Sequence, residues 1–186
     1  MAEPEPGSSG GSLHLIPSAH RLGHAVWLER RLHQVLGGWV ATTHEPAATV
    51  LLDAHALHHA WFASVLFDRL PELRELPRES LVVPSGDDAA AALAELADST
   101  SVTVDRLDAV YSVLVPAVLE GYRVHAARLA PVADAPLQRW LRIVIGDLGE
   151  DAAAGAELLS ALGGGSASAR EDPPHRLLAR RVVASV

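Results

Sequence analysis

Two acidic residues that head matching sequence patterns place the tightest constraint on the fold of this 186-residue chain. The matching positions, at offsets of 27 and 30 residues, are Ala56 and His59 after Glu29, and Asp147 and Glu150 after Glu120. A helical hairpin brings together positions about 25–30 residues apart, and residues three apart on its second helix share one face. Two such hairpins packed together would direct these positions into one bundle core.

Apolar residues recur at alternating three- and four-residue steps in four segments, a pattern typical of helices that bury one face. The predicted helices cover residues 15–42, 46–70, 104–129 and 137–162. A long connection, residues 71–101, separates the second helix from the third and includes a predicted short Ala-rich helix at 88–96. Pro116 is predicted to bend the third helix. The long connection indicates that the second and third helices are not neighbours joined by a tight turn.

The candidate acids fall on the apolar faces of these predicted helices. Glu29 lies within the stripe of the first helix, and Glu120 is the only charged residue on the stripe predicted for the third. On the fourth helix, Asp147, Glu150 and Asp151 share a broad face with apolar residues. A carboxylate that faces a core must be paired or protonated, so we expect each of these acids to have a specific role.

The two ends of the chain differ in composition from its middle. Residues 1–12 are rich in Gly and Ser and are predicted to be a disordered tail. Residues 13–163 are predicted to form one helical domain, which ends at a run of glycines. Residues 164–186 are predicted to be a linker and a short amphipathic C-terminal helix, which would dock as a fifth helix or meet a partner.

The pattern of Glu followed by Glu-x-x-His, repeated once, resembles that of the ferritin-like di-iron carboxylate four-helix-bundle superfamily. The residues that carry the resemblance are Glu29, His59, Glu120, Asp147 and Glu150. Ala56 stands where the family has a bridging Glu, and Glu150 stands where it has the second His. The resemblance implies an all-α fold, a ferritin-like four-helix bundle with a long crossover between helices 2 and 3 and a short C-terminal helix.

The resemblance also implies iron or manganese as a cofactor, held by those five residues. Independently of the family, Asp53, His55 and His58 form a dense cluster on the second helix, where two His on one face can bind a divalent ion. A metal-free polar core is the third interpretation, in which no cofactor is bound. The buried acids would then pair with arginines near them in the sequence, such as Arg30, Arg123 or Arg142.

Composition narrows the classes of function. The chain has no cysteine, so a metal would be held by His and carboxylate groups alone. Its 15 basic residues are all arginine and its formal net charge is -8, which leaves nucleic-acid binding unsupported. The N-terminal segment does not match a secretory signal, and the longest apolar runs are short and interrupted by charge. We therefore expect a cytoplasmic protein with no membrane partner.

Two functions of different classes follow from these observations. The first is a metal-dependent oxidoreductase or hydroxylase acting on a small molecule or a modified nucleoside, as the resemblance implies; no catalytic residue is predicted. Its specificity would depend on lining residues such as Phe62, Leu66, Val113 and Trp140, and it could form a homo-oligomer. The second is a metal-free bundle that serves as a binding or scaffold protein, with the C-terminal segment or the His-rich face of helix 2 at an interface.

Overall fold

The computed structural model describes residues 15–72, 74, 76–98, 102–164 and 172–183, and this part of the chain is all-helical, as predicted. In chain order the helices are α1 (Leu15–Val40), α2 (Pro46–Phe67), α3 (Arg78–Leu81), α4 (Asp87–Asp98), α5 (Thr103–Asp108), α6 (Val115–Ala127), α7 (Ala135–Ala161) and α8 (Pro174–Val183). A π-helical segment, Ala109–Leu114, joins α5 directly to α6.

These helices match the predicted elements closely. The predicted third helix is the continuous run of α5, the π-helical segment and α6, and the predicted short helix of the long connection is α4. Helix α8 packs against α4 and the π-helical segment, so the C-terminal segment docks on the rest of the protein. The predicted tail, residues 1–12, and residues 165–171 of the predicted linker lie outside the described residues.

Helices α1 and α2 form a tight hairpin, and it makes the most extensive contact between any two elements of the structure. The end of α1 is closed by Thr43, whose hydroxyl donates to the carbonyl of Trp39 at 2.8 Å. Pro46 then occupies the first turn of α2, where its missing N–H costs nothing. Because the connection is short, α2 returns along α1, and positions such as Glu29 and His59 lie face to face.

The π-helical segment changes which face of α6 is buried. Its wider i→i+5 turns insert an extra residue, so a stripe counted at the α-helical period falls out of phase after it. Pro116 follows immediately, and a proline ring cannot fit against the carbonyl four residues back in a regular helix. The wider π-helical turns lie directly before this proline. The buried residues of α6 are consequently Val115, Val118, Leu119, Tyr122 and His125, and Glu120 is exposed.

Asp108 anchors α8 to the end of α5. Its carboxylate accepts hydrogen bonds from the guanidinium of Arg176 at 2.5 and 2.7 Å and from Nε2 of His175 at 2.8 Å. Ser112 donates a further bond at 2.8 Å. Burial alone would raise the pKa of Asp108, but these donors outweigh it and lower that pKa to about 2. The anchor is therefore ionised at neutral pH.

Helix α2 has an unusual composition for a helix on the outside of a protein. It has 22 residues, and an 18-residue window within it has a mean hydropathy of 1.2, so length and composition alone would let it cross a membrane. Core helices of other proteins pass the same test, and 44% of the tested window is buried inside this structure. The predicted absence of a membrane partner stays a prediction.

Candidate functional site

Glu29 is completely buried, and both oxygens of its carboxylate are bound by side chains of other helices. The Nδ1 atom of His59 on α2 lies 2.5 Å from Oε2, so this nitrogen carries the proton and donates. The hydroxyl of Tyr122 on α6 donates to Oε1. His59 is also almost completely buried. The triad of Glu29, His59 and Tyr122 thus joins three helices in the core.

Tyr122 keeps its proton in this environment. Burial raises its pKa well above the usual value, and the neighbouring carboxylate of Glu29 adds to the effect. The hydroxyl is therefore a permanent donor to Glu29. Removing Glu29 would leave both His59 and Tyr122 without a partner, and removing either of these would leave one buried oxygen of Glu29 without its donor.

A second polar cluster surrounds Asp151 of α7, one helical turn away along α2. The Nδ1 atom of His58 lies 2.9 Å from each carboxylate oxygen of Asp151, and Nε2 of His55 lies 3.3 Å from Oδ1. The other ring nitrogen of His55, Nδ1, lies 2.7 Å from the hydroxyl of Tyr111. Asp151, His55 and Tyr111 are buried, whereas half of the His58 side chain is exposed.

Burial fixes the protonation states of His55 and Tyr111 in this second cluster. It lowers the pKa of His55, an effect that the nearby Asp151 carboxylate only partly offsets, and it raises the pKa of Tyr111. Tyr111 therefore donates to Nδ1 of a neutral His55, whose proton is on Nε2 and directed at Asp151. Gly155 makes room for the Tyr111 ring, since a Cβ atom there would lie 2.2 Å from it.

Of the five residues implied as metal ligands, the structure brings together only Glu29 and His59. Glu120 and Glu150 are exposed, and Glu120 lies 3.9 Å from Arg123 on the same helix. Asp147 is only half-buried. The expectation that all five face one core is wrong for Glu120 because of the phase shift in the π-helical segment. On α7, Asp147, Glu150 and Asp151 share the predicted face, and Asp151 is the one that packing buries.

The alternative metal cluster is also arranged differently from the prediction. Asp53 is exposed, while His55 and His58 are both directed at Asp151. The arginines suggested as partners for the buried acids do not contact them. Arg30 instead forms an exposed ion pair with Glu79 at 3.0 Å. Glu29 is satisfied by His59 and Tyr122, and Asp151 is satisfied by His55 and His58.

These donor sets do not fit a two-metal carboxylate centre. Within the described ranges, no group of three or more His, Asp or Glu side chains is arranged to hold a metal ion. In the triad, both oxygens of Glu29 are already engaged, and Ala56 has no donor atom. In the second cluster, the His nitrogens contact the Asp151 oxygens directly.

A cavity of about 140 Å³ lies beside the triad and is lined by Tyr122 itself. Its lining comes from α1, the loop after α3, α6 and α8, and comprises Arg21, His24, Ala25, Trp27, Leu28, Ser85, Val118, Gly121, Tyr122, His125 and Val182. Most of this surface is apolar. The polar side-chain groups are one guanidinium, two imidazoles, one indole N–H and two hydroxyls, and none of the lining residues is acidic.

The charge of the cavity differs in sign from that of the whole chain. Arg21 is permanently positive, and the structure gives it no acidic partner among the residues that it describes. Burial and the charge of Arg21 together lower the pKa of His125 to about 4, so His125 is neutral at pH 7. His24 donates from Nδ1 to the carbonyl of Val83 at 2.8 Å. The lining thus combines an apolar wall with one positive charge.

The sequence patterns did not identify several residues of these sites. Tyr122 falls on the buried face of α6 only because of the π-helical phase shift, and Arg21 and His125 belong to no recurring motif. Asp151 could have been predicted as a site residue, because it shares a predicted helix face with Asp147 and Glu150. His58 was predicted to act together with Asp53 on the same helix. In the structure its acidic partner is Asp151 of α7.

Comparisons with known proteins found no relative of this chain. The chain matches no protein-family model, no curated protein and no solved structure.

Proposed function

We propose that this protein is a metal-free, ferritin-like helical bundle that binds a small organic anion in the cavity beside Tyr122. The observation that carries the proposal is Arg21, an arginine without an acidic partner among the described residues, in the wall of a mostly apolar cavity. The binding function belongs to the second of the two classes expected from the sequence.

The order of the helices supports the ferritin-like arrangement. Helices α1 and α2 form one hairpin, and α6 packs against α7 to form another. Residues 68–102, which include α3 and α4, connect the two hairpins as the single long crossover of that topology does. The Glu29 and His59 pair bridges the first hairpin at the position that the resemblance implies.

The hydrogen bonds of Glu29 support the absence of a metal. A metal ion bound by Glu29 would have to compete with His59 and Tyr122, each of which donates a hydrogen bond to one of its two oxygens. The second His position is occupied by the exposed Glu150. The metal-dependent oxidoreductase expected from the resemblance stays a prediction, and we propose that the polar core is structural.

The size and lining of the cavity indicate the class of ligand. A cavity of about 150 Å³ is large enough for benzene, and this one has a volume of about 140 Å³. Ala25, Leu28 and Val118 would contact an apolar body, while the guanidinium of Arg21 would hold a carboxylate. An aromatic monocarboxylate or a short-chain fatty acid combines these properties.

The proposal can be tested by calorimetric titration of the full chain with benzoate and hexanoate, each compared with its neutral amide. We expect the acids to bind with a Kd of about 10 µM to 1 mM, in the range of small ligands with few contacts. Each amide should bind at least about tenfold more weakly, because it lacks the charge that Arg21 recognises.

Two arginine variants distinguish the cavity from general charge effects. Arg21→Gln should weaken benzoate binding by about tenfold or more, whereas Arg31→Gln should leave it unchanged, since Arg31 is exposed and contacts Gln34 on its own helix. Failure of every acid to bind would overturn the proposal. Equal loss of affinity in the two variants would also overturn it, because the affinity would then reflect overall charge.

A further inference from the structure

His125 lies between two cavities of the protein. Its ring lines the cavity beside Tyr122, which we call the Arg21 cavity after the arginine in its wall. Ser18, whose hydroxyl oxygen lies 3.2 Å from Nε2 of His125, lines a second cavity at the start of α1 instead. Because the contact with Ser18 uses Nε2, Nδ1 is the ring nitrogen left for a ligand in the Arg21 cavity. His125 is therefore a second polar group, beside Arg21, that such a ligand can reach.

The charged and titratable groups around His125 come from three parts of the chain. They are Arg21 and His24 of α1, Tyr122 of α6, and Asp134, which precedes α7. The loop after α3 and helix α8 add Ser85 and Val182 to the lining, and neither is charged. Burial and the charge of Arg21 lower the pKa of His125, and the carboxylate of Asp134 offsets them only in part. One of the two causes, the charge of Arg21, is thus one that a bound anion would cancel.

A carboxylate bound to Arg21 would reverse the electrostatic balance at His125. It would neutralise the guanidinium and bring a negative charge to the side of the ring that faces the cavity. Its two oxygens are acceptors only, so one can accept from Arg21 and the other from an N–H at Nδ1 of His125. An opposite charge within about 4–6 Å favours the charged form of an imidazole. The ligand would therefore favour protonation of His125.

Ser18 suits both protonation states of this ring. A hydroxyl can donate a hydrogen bond to Nε2 of the neutral imidazole, and after rotation it can accept one from the N–H of the charged form. A carbonyl oxygen at the same place could not donate to the neutral ring. The contact between Ser18 and His125 thus lets the ring gain a proton without leaving a buried nitrogen unsatisfied.

From these contacts we propose that His125 is the second recognition residue of the Arg21 cavity, and that a bound acid anion enters together with one proton, which His125 takes up from solvent. Ser18 is the positioning residue of this pair. The inference rests on the proposed function, since it requires an acid in this cavity. Uptake of an anion with a proton leaves the net charge of the cavity unchanged, so mildly acidic solution should favour binding and alkaline solution should favour release.

NMR of the full chain tests the inference without any substitution in the site. The ring Cε1–H signal of His125 is followed between about pH 4 and pH 8, with and without saturating benzoate. We expect bound benzoate to raise the pKa of His125 by at least about one pH unit. Bound benzoate that leaves this pKa unchanged would overturn the inference but not the proposed function. Failure of every acid to bind would overturn both.

Calorimetry with benzenesulfonate separates protonation of the protein from protonation of the ligand, because the sulfonate stays ionised throughout this pH range. Its affinity should be at least about twofold higher at pH 5 than at pH 8. His125→Gln should abolish this difference, whereas His20→Gln, at an exposed position on α1, should retain it. Equal affinity of the unmodified protein at the two pH values would contradict proton uptake. A difference that persists in His125→Gln would assign the proton to another group.

A pair of serine variants tests the role of Ser18. Ser18→Ala removes the acceptor for the charged ring, so the rise in the pKa of His125 on benzoate binding should be smaller than in the unmodified protein. Ser64→Ala, at an exposed position on α2, should leave the full rise. The same rise in both variants would exclude Ser18 from the site.

Discussion

Glu29 and His59 lie 30 residues apart in the sequence, and the Nδ1 atom of His59 lies 2.5 Å from Oε2 of Glu29. The α1–α2 hairpin creates this contact, and Tyr122 completes it from α6 by donating to the other oxygen. A carboxylate that accepts a hydrogen bond on each oxygen in this way stabilises the core by joining three helices, provided that every partner is present.

Glu29→Ala should strongly destabilise the protein. The change leaves His59 and Tyr122 without their shared partner in a buried site, which should lower the free energy of unfolding by roughly 3–5 kcal/mol. Glu120→Ala is the matched control, since Glu120 is exposed and its loss should change stability by less than about 0.5 kcal/mol. Urea denaturation followed by circular dichroism measures both values. Similar effects of the two changes would show that Glu29 has no special role in the core.

Two glycines of α7 should respond in opposite ways to replacement by alanine. Gly155→Ala places a Cβ atom 2.2 Å from the ring of Tyr111 and should cost roughly 1–3 kcal/mol through overpacking. Gly149→Ala meets no atom within 4 Å and should stabilise the helix by about 0.5–1 kcal/mol. Thermal unfolding of the two variants checks the order. A stabilising effect of Gly155→Ala would contradict the packing around Tyr111.

The free energy of unfolding should decrease as the pH is lowered, because of His125. Its pKa is about 4 in the folded protein, compared with 6.5 for the ordinary group, so the unfolded chain binds this proton first as the pH decreases. This contribution to the free energy of unfolding is fully present above about pH 6.5. It is lost as the pH falls to about 4, and the loss amounts to about 3 kcal/mol in all. Urea denaturation at a series of pH values measures it.

A pair of His variants isolates this contribution. His125→Gln should reduce the loss of stability between pH 7 and pH 4, whereas His20→Gln, at an exposed position, should leave that difference unchanged. The two variants are compared by how steeply their free energy of unfolding changes with pH, because the glutamine itself also alters stability at neutral pH. If His125→Gln had the same pH dependence as the unmodified protein, the buried neutral state of His125 would be excluded.

Asp108→Asn should loosen the docking of α8. The variant weakens the bonds from Arg176 and His175, so we expect amide hydrogen exchange in residues 174–183 to become about 10- to 100-fold faster, equivalent to about 1–3 kcal/mol. Asp172→Asn is the control, because Asp172 pairs with the largely exposed Arg180 and should have little effect. Equal exchange in both variants would place the anchor of α8 elsewhere.

Apolar periodicity predicted most of the fold, because burial of one helix face is a local property of the sequence. The bounds of α1, α2, α4 and α7 and the long connection follow from it. The π-helical segment did not follow, since its hydrogen-bond pattern depends on Pro116 and on packing against α8. The resulting phase error explains why Glu120 was assigned to the core and Tyr122 was not.

The candidate sites were predictable only where they depend on a single hairpin. The spacing of 30 residues identified Glu29 and His59, because a short turn fixes the register of two helices. The contact of His58 with Asp151 joins helices that are distant in the sequence, and the cavity is lined by elements from four parts of the chain. Spacing alone contains no information on how those elements pack.

The most direct test of a metal-free core is the metal content of the protein after anaerobic incubation with Fe(II) or Mn(II) and removal of free ions. Because both oxygens of Glu29 are engaged, we predict less than about 0.1 ion per chain, far below the occupancy of a complete carboxylate and His site. One or two ions per chain, bound by the unmodified protein and lost in Glu29→Ala, would contradict this account.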